Sequence, residues 1–384
     1  MFDLIIRSLT QRKMRTGLTI FGITLGIFAV VVMGGMSEYM NIYVDRSIKL
    51  MANDIVVNPD GTAGGSGTLD ESKIRQIRRI PGVKDAHGVL YTALDPEAGG
   101  GGFGPGDFVS GVLPEKQLTD LKLTSGRYLV PGDEYNAVVG SSIARKFNLK
   151  VGDELEIKSK RMKGSSSISH TRNVTVVGIM EISGTFFDTS VNMPLDAAQK
   201  FYKMENTVSF IYAEPAPGTD SSLLAKRIDL SVEKVKSKSP EQLTKDIEGS
   251  LVFFRLITIS AAVLAAIIGG LSVMNTMLMS VSERTKEFGL LKALGAERKT
   301  ILFMTIGEAA LIGLIGGITG IAAGSVVVHF LNKSFEAQGS VLFAITPRLV
   351  VAGLLFAISL GIICGTYPAY RATKMSPMEA LRYE

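Results

Sequence analysis

"SVSERTKEFGLLKALGAERKT", residues 280–300, sets a dense charged turn between two long apolar runs. Residues 256–282 before the turn hold no Asp, Glu, Lys or Arg, and neither do residues 309–328 after it. A helix crosses a bilayer with roughly 20 apolar residues, so the turn reads as a loop joining two spans. Residues 17–37 and 349–370 are uncharged runs of the same kind, which makes four spans. Arg12, Lys13 and Arg15 before the first run would also suit a signal peptide. Its apolar core is longer than a signal segment's and no A-x-A site follows, so it is read as a retained helix.

Loop charges orient the four spans. Arg7, Arg12, Lys13 and Arg15 precede the first; Arg284, Lys286, Lys292, Arg298 and Lys299 lie between the second and third; Arg371, Lys374 and Arg382 follow the fourth. The loop between the third and fourth has Lys333 and then Arg348. Both termini and the charged turn are therefore expected in the cytoplasm of a multi-pass cell-membrane protein, with residues from about 38 to 250 outside.

The composition agrees with spans plus a sizeable soluble domain: 46% hydrophobic and 20% charged residues, at a mean hydropathy of +0.27. Cys364 is the only cysteine, which excludes a disulfide or thiolate metal site within one chain. His87, His170 and His329 are scattered without ligand spacing, and no nucleophile elbow or H-E-x-x-H is present. Metal and hydrolytic chemistry are not expected.

Small residues pattern the spans: Gly22 with Gly26, Gly313 with Gly317, the ladder Gly316, Gly320, Gly324, and Ala261, Ala265, Gly269. Such ladders let helix backbones approach closely, either within one chain or along a dimer seam. Helical spacing continues past the first span through Met36, Met40, Tyr43, Val44, Ile48 and Met51. Before the second span, "SPEQLTKDIEGSLVFFRL" (239–256) opens with Ser239, Pro240 and Gln242, a capping box with proline at the first helical position. Continuous helix from 240 to 281 would be on the order of 60 Å long, about twice the hydrocarbon thickness. Two stiff rods would then flank the outer domain. Phe2, Ile5, Ile6 and Leu9 suggest a short helix on the cytoplasmic surface.

Residues 52–238 read as mixed α and β. Strands are expected at 53–58, 87–94, 107–113, 154–159, 172–180 and 208–213, and helices at 69–83, 141–147, 195–202 and 221–235. "GTAGGSGT" (61–68), "EAGGGGFGPGD" (97–107) and "MKGSSSIS" (162–169) read as loops.

Within the charged turn, Phe288, Leu291 and Leu294 share one helical face and Gly295 is a left-handed stop. Lipid headgroups or a protein groove would cover that face; a groove would also read the charges. Asn275 lies eight residues before Glu283, and Glu308 eight after Thr300. Each is about 12 Å along its helix from the turn, so both lie at similar depth. A carboxylate there wants a partner, and Asn275 is the expected hydrogen-bond partner of Glu308.

Residues 269–324, "GGLSVMNTMLMSVSERTKEFGLLKALGAERKTILFMTIGEAALIGLIGGITGIAAG", resemble the MacB- and FtsX-type ABC permease family. So do "SLTQRKMRTGLTIFGITLG" (8–26) and "GTYPAYRATKMSPMEALRYE" (365–384). "SGRYL" (125–129), "AVVGSSIARKFNLKVGDELEI" (137–157) and "VVGIM" (176–180) resemble the family's periplasmic core domain.

The resemblance implies an α-helical membrane protein with four transmembrane helices and an α+β extracytoplasmic core domain between helices 1 and 2. Its segments are residues 1–51 (surface helix, first span, stalk), 52–238 (core domain), 239–282 (stalk, second span), 283–300 (coupling-helix loop) and 301–384 (last two spans). It further implies a permease homodimer in membrane lipid with two separate ATPase subunits, room for an extracytoplasmic adaptor, and no nucleic acid. ATP and magnesium would bind in the ATPase, since the chain has no GxxxxGK[ST] loop of its own and starts directly with the permease motif. The ATPase is then expected on Glu283, Arg284, Thr285, Lys286, Glu287, Phe288, Leu291, Lys292, Leu294 and Gly295. The implied work is mechanotransmission, exporting or extracting a peptide, lipid or lipophilic drug; the FtsX branch implies instead a regulator of a cell-wall hydrolase.

Overall fold

The computed structural model describes residues 13–50, 54–61, 67–96, 106–116, 121–163, 166–336 and 341–374. The surface helix around Phe2–Leu9, most of the first two glycine-rich loops and the C-terminal ten residues lie outside them.

Four long helices carry the apolar runs: α1 (Lys13–Leu50), then, after the outer domain, three more whose ranges are Pro240–Glu283, Arg298–Glu336 and Pro347–Lys374. All four are long and apolar enough to cross a membrane. By internal contacts the chain forms two units, one of Met1–Tyr39, Val252–Leu331 and Phe343–Glu384, the other of Met40–Leu251 with Asn332–Leu342.

The outer unit holds β1 (Ile55–Pro59), β2 (Leu69–Asp70), α2 (Ser72–Arg78), β3 (Val83–Ala93), β4 (Phe108–Val112), β5 (Leu123–Gly126), β6 (Asn136–Val139), α3 (Ser141–Lys146), β7 (Glu154–Lys163), β8 (Ser166–Met180), β9 (Ser190–Pro194), α4 (Leu195–Tyr202), β10 (Thr207–Val208), β11 (Phe210–Pro215), α5 (Ser221–Ser231) and β12 (Val235–Lys238). Among the described residues these make one mixed sheet of order β12-β1-β11-β3-β4-β9-β6-β8-β5, with β7 on the free length of β8, and a small β10-β2 pair. Apolar residues of the helices, such as Ile77, Ala198, Leu224 and Ile228, close on Ile55, Leu90, Val191 and Ile211 to form the core.

Three expectations are corrected here. "MKGSSSIS" is not a loop: β7 and β8 pair in register out to Lys163 and Ser166, leaving only residues 164 and 165 outside the described strands. The helix expected over 69–83 shrinks to α2, because Leu69 and Asp70 pair with Val208 and Thr207. The helix expected to reach 235 ends at Ser231, and Val235–Lys238 becomes an edge strand on β1.

The parts of α1 and of α6 (Pro240–Glu283) that belong to this unit are seated on the sheet domain. Arg46 donates from Nη1 to the Ser183 carbonyl at 3.3 Å. The loop offering that carbonyl is shaped by Asp188, which accepts from the Ser183 and Gly184 amides at 2.9 and 2.7 Å. Leu50 packs with Leu121, Leu129, Met180 and Phe187. On α6, Leu243 packs with Val56, Tyr91 and Tyr212, and Asp246 pairs with Lys238 at 2.6 Å. The capping box forms as read: the Gln242 amide donates to Ser239 Oγ (3.3 Å) and the Ser239 amide to Gln242 Oε1 (3.4 Å).

In the apolar unit, α8 (Arg298–Glu336) packs between α1 and α9 (Pro347–Lys374). A Cβ at Gly320 would lie 2.7 Å from Ile27 Cβ and 2.9 Å from the Thr24 carbonyl on α1, and one at Gly313 would lie 2.6 Å from the Ala357 carbonyl on α9. Gly26 meets Ala265 of α6 in the same way. The small-residue ladders are thus used within the chain, which is what close helix packing in lipid requires. Thr24 and Thr319 share a hydroxyl hydrogen bond of 2.7 Å across the α1–α8 seam, and Thr19 bonds Thr276 across α1–α6.

Candidate functional site

The charged turn forms α7 (Thr285–Ala293), a nine-residue helix set between the ends of α6 and α8. Gly295 ends it at φ +92°, with its amide donating to Lys292 O (3.0 Å) and the Ala296 amide to Leu291 O (2.9 Å). This paired closure is the Schellman arrangement, and a residue with a Cβ would be strained in it.

One stripe of α7, at every fourth residue, points inward. Arg284, the residue before its first turn, donates from Nη1 to Glu308 Oε2 on α8 at 3.1 Å and from Nε to Glu287 Oε2 at 2.8 Å. Phe288 is buried among Val281 of α6, Ile301 of α8 and Ala372 of α9. The Arg284 guanidinium stands 5.3 Å from its ring centroid. Lys292 donates from Nζ to the Thr373 carbonyl at 2.7 Å, in the last turn of α9. Burial, with Arg298 nearby, holds its ammonium below the usual lysine range. The helix is therefore pinned along its length to its three neighbours.

The opposite side faces out. Lys286, Glu287, Leu290, Leu291 and Leu294 are exposed, Leu290 by 54% and Leu294 by 77%. Glu283 and Gly295 are exposed as well, and Thr285 is half-buried. Two sequence expectations change. Arg284, Phe288 and Lys292, expected on the contact face, turn to the interior, because the ends of α6, α8 and α9 supply apolar cover, a carboxylate and a backbone carbonyl that the local pattern does not reveal. Glu308 is buried and accepts a hydrogen bond from Arg284, while Asn275, the expected partner, lies exposed on α6. Leu290 was missed by the sequence reading; its position four residues from both Lys286 and Leu294 is the signal that places it on the outer face.

A family profile described as the MacB-like periplasmic core domain matches residues 16–230, more than half of the chain. Another, described as the FtsX-like permease C-terminal, matches residues 259–377. The chain belongs to the MacB/FtsX-type ABC permease family. An uncharacterized ABC transporter permease of Methanocaldococcus jannaschii is 28% identical, over 98% of this chain and 96% of that one. The macrolide export ATP-binding/permease protein MacB of Bdellovibrio bacteriovorus is 26% identical over 98% of this chain, which spans 61% of that protein's length. The periplasmic region of MacB from Actinobacillus actinomycetemcomitans aligns with 52% of this chain at 12% identity and a TM-score of 0.38. Among the described residues, the outward side of α7 is exposed while its inner stripe engages α6, α8 and α9.

Proposed function

We propose that the chain is the permease subunit of an ABC transporter whose ATP-hydrolysing subunits are separate polypeptides, and that α7 is the coupling helix on which they seat. Nucleotide-driven motion passes along α6 and α1 to the core domain, which acts on cargo without requiring it to cross the bundle. Both termini and α7 then lie in the cytoplasm. Two permease copies work with two ATPase subunits, which hold the ATP and magnesium.

The observation that carries this reading is the divided character of α7. Its inner stripe is fastened to α6, α8 and α9, while Leu290 and Leu294 stand in the open between Lys286 and Glu287. A rigid amphipathic helix with apolar anchors and flanking charges suits a protein groove. The seats of α1 and α6 on the sheet domain, through Arg46, Leu50, Leu243 and Asp246, support transmission at the far end. Relatives named for macrolide export support an amphiphilic cargo (a peptide, lipid or lipophilic drug) over activation of a cell-wall hydrolase.

The test is co-purification. The permease is expressed with ABC ATPase subunits of the same genome, as wild type and as Leu294→Asp and Glu287→Lys. An ATPase that binds wild type and is lost from both variants supports the reading. A folded permease whose captured ATPase is indifferent to both variants overturns it, and would leave α7 as a helix resting on lipid headgroups.

A further inference from the structure

The Arg284 guanidinium serves two carboxylates of unlike surroundings. Glu308 has a side chain 8% exposed and sits on α8; Glu287 has one 60% exposed and sits on the outer side of α7; Arg284 between them is 17% exposed. The two bonds use different nitrogens, Nη1 toward Glu308 and Nε toward Glu287. Neither carboxylate takes the two-pronged geometry in which arginine binds most strongly. A shared cation of this kind has two ways to settle, and an approaching charge selects between them.

We propose that Arg284 is a positioning residue: through Glu308 it fixes the attitude of α7 on α8, and Glu287 is the input that tunes that grip. A cationic side chain of the docked partner, brought up to Glu287, takes that carboxylate away and leaves the guanidinium to Glu308. The attitude of α7 and the Arg284–Glu308 bond then change together. The electrostatics favour this direction, because the Glu308 end is shielded from water and salt, while the Glu287 end is screened and open to competition. The contact of Arg284 with the Phe288 ring adds a second reason for α7 and the bridge to move as one.

The identity of the cation-bearing partner rests on the proposed docking of an ATPase, whereas the grip itself does not. Amide hydrogen exchange over residues 285–293 of the purified full-length permease reads the grip alone. Glu308→Gln and Arg284→Gln should each raise exchange there by about tenfold while leaving the core domain unchanged. The exchange of charges in Arg284→Glu with Glu308→Arg should restore protection. Glu287→Gln frees the guanidinium for Glu308 as a docked cation would, so it should slow α7 exchange below wild type in the permease alone and leave no further slowing on adding the ATPase. Wild-type exchange in both Gln variants would overturn the proposal, as would a double variant no better protected than either single one. If the Gln variants do not fold, the double variant decides alone. An ATPase that fails to bind wild type refutes the docking reading and leaves the exchange results on the grip standing.

Discussion

Phe288→Ala separates the two sides of α7. The ring is 2% exposed and enclosed by Val281, Ile301 and Ala372, drawn from three helices. Deleting a buried phenyl ring costs about 3–5 kcal/mol, the transfer term plus the cavity that packed helix ends cannot fully close. Loss of the guanidinium–ring contact adds about 0.5–1 kcal/mol. Leu294→Ala removes a side chain that is 77% exposed and should change stability by less than about 0.5 kcal/mol. Thermal unfolding of the detergent-solubilised permease reads the difference, with Tm falling on the order of 5 °C for Phe288→Ala and staying still for Leu294→Ala. Phe288→Leu, which refills most of the space, should recover much of the loss. ATPase capture should show the reverse order, with Leu294→Ala impaired although fully folded. A stable Phe288→Ala permease that has lost its partner would refute the inward assignment and return Phe288 to the contact face.

Two further predictions test the frame around the site. Gly320→Ala forces a Cβ to within 2.7 Å of Ile27 Cβ and 2.9 Å of a backbone carbonyl, so α1 and α8 must separate; overpacking of this kind costs about 1–3 kcal/mol. Gly353→Ala meets Ile321 only at 3.9 Å and should be neutral, so equal Tm values for the two variants would contradict the packing described. In the core domain, burial and the nearby Lys116 press the His87 pKa from the ordinary 6.5 to about 4. The folded domain holds His87 neutral while the unfolded chain takes up the proton. Stability is therefore complete above pH 6.5 and falls between pH 6.5 and 4. At full extent the loss is about 3 kcal/mol. His87→Gln should flatten that part of the core domain's unfolding profile, and an unchanged slope would show that another group titrates there.

The features legible in the sequence are those whose causes are local. Uncharged runs announced the four long helices, Ser239 and Gln242 announced the start of α6, and Gly295 announced the end of α7. Strands β5, β6 and β9 escaped because their patterns do not alternate. All five residues of Ser190–Pro194 are buried, polar Ser190 and Asn192 among them, since neighbours close over both faces. Polar "SSIS" (166–169) gives no strand signal either, and its pairing comes from β7 across the hairpin. On α7, local amphipathicity grouped Phe288 with Leu291 and Leu294. Only the tertiary fold brings Ala372 and Glu308 to the other side and turns Phe288 and Arg284 toward them.

The most direct test of the account is a photo-crosslinking residue placed in turn at Leu290, Leu294 and Phe288 in permease co-expressed with its ATPase. Leu290 and Leu294 should yield permease–ATPase adducts, and Phe288 only links within the permease. Adducts from Phe288 with none from Leu294, or lipid adducts alone from both outer positions while the ATPase remains bound, would contradict it.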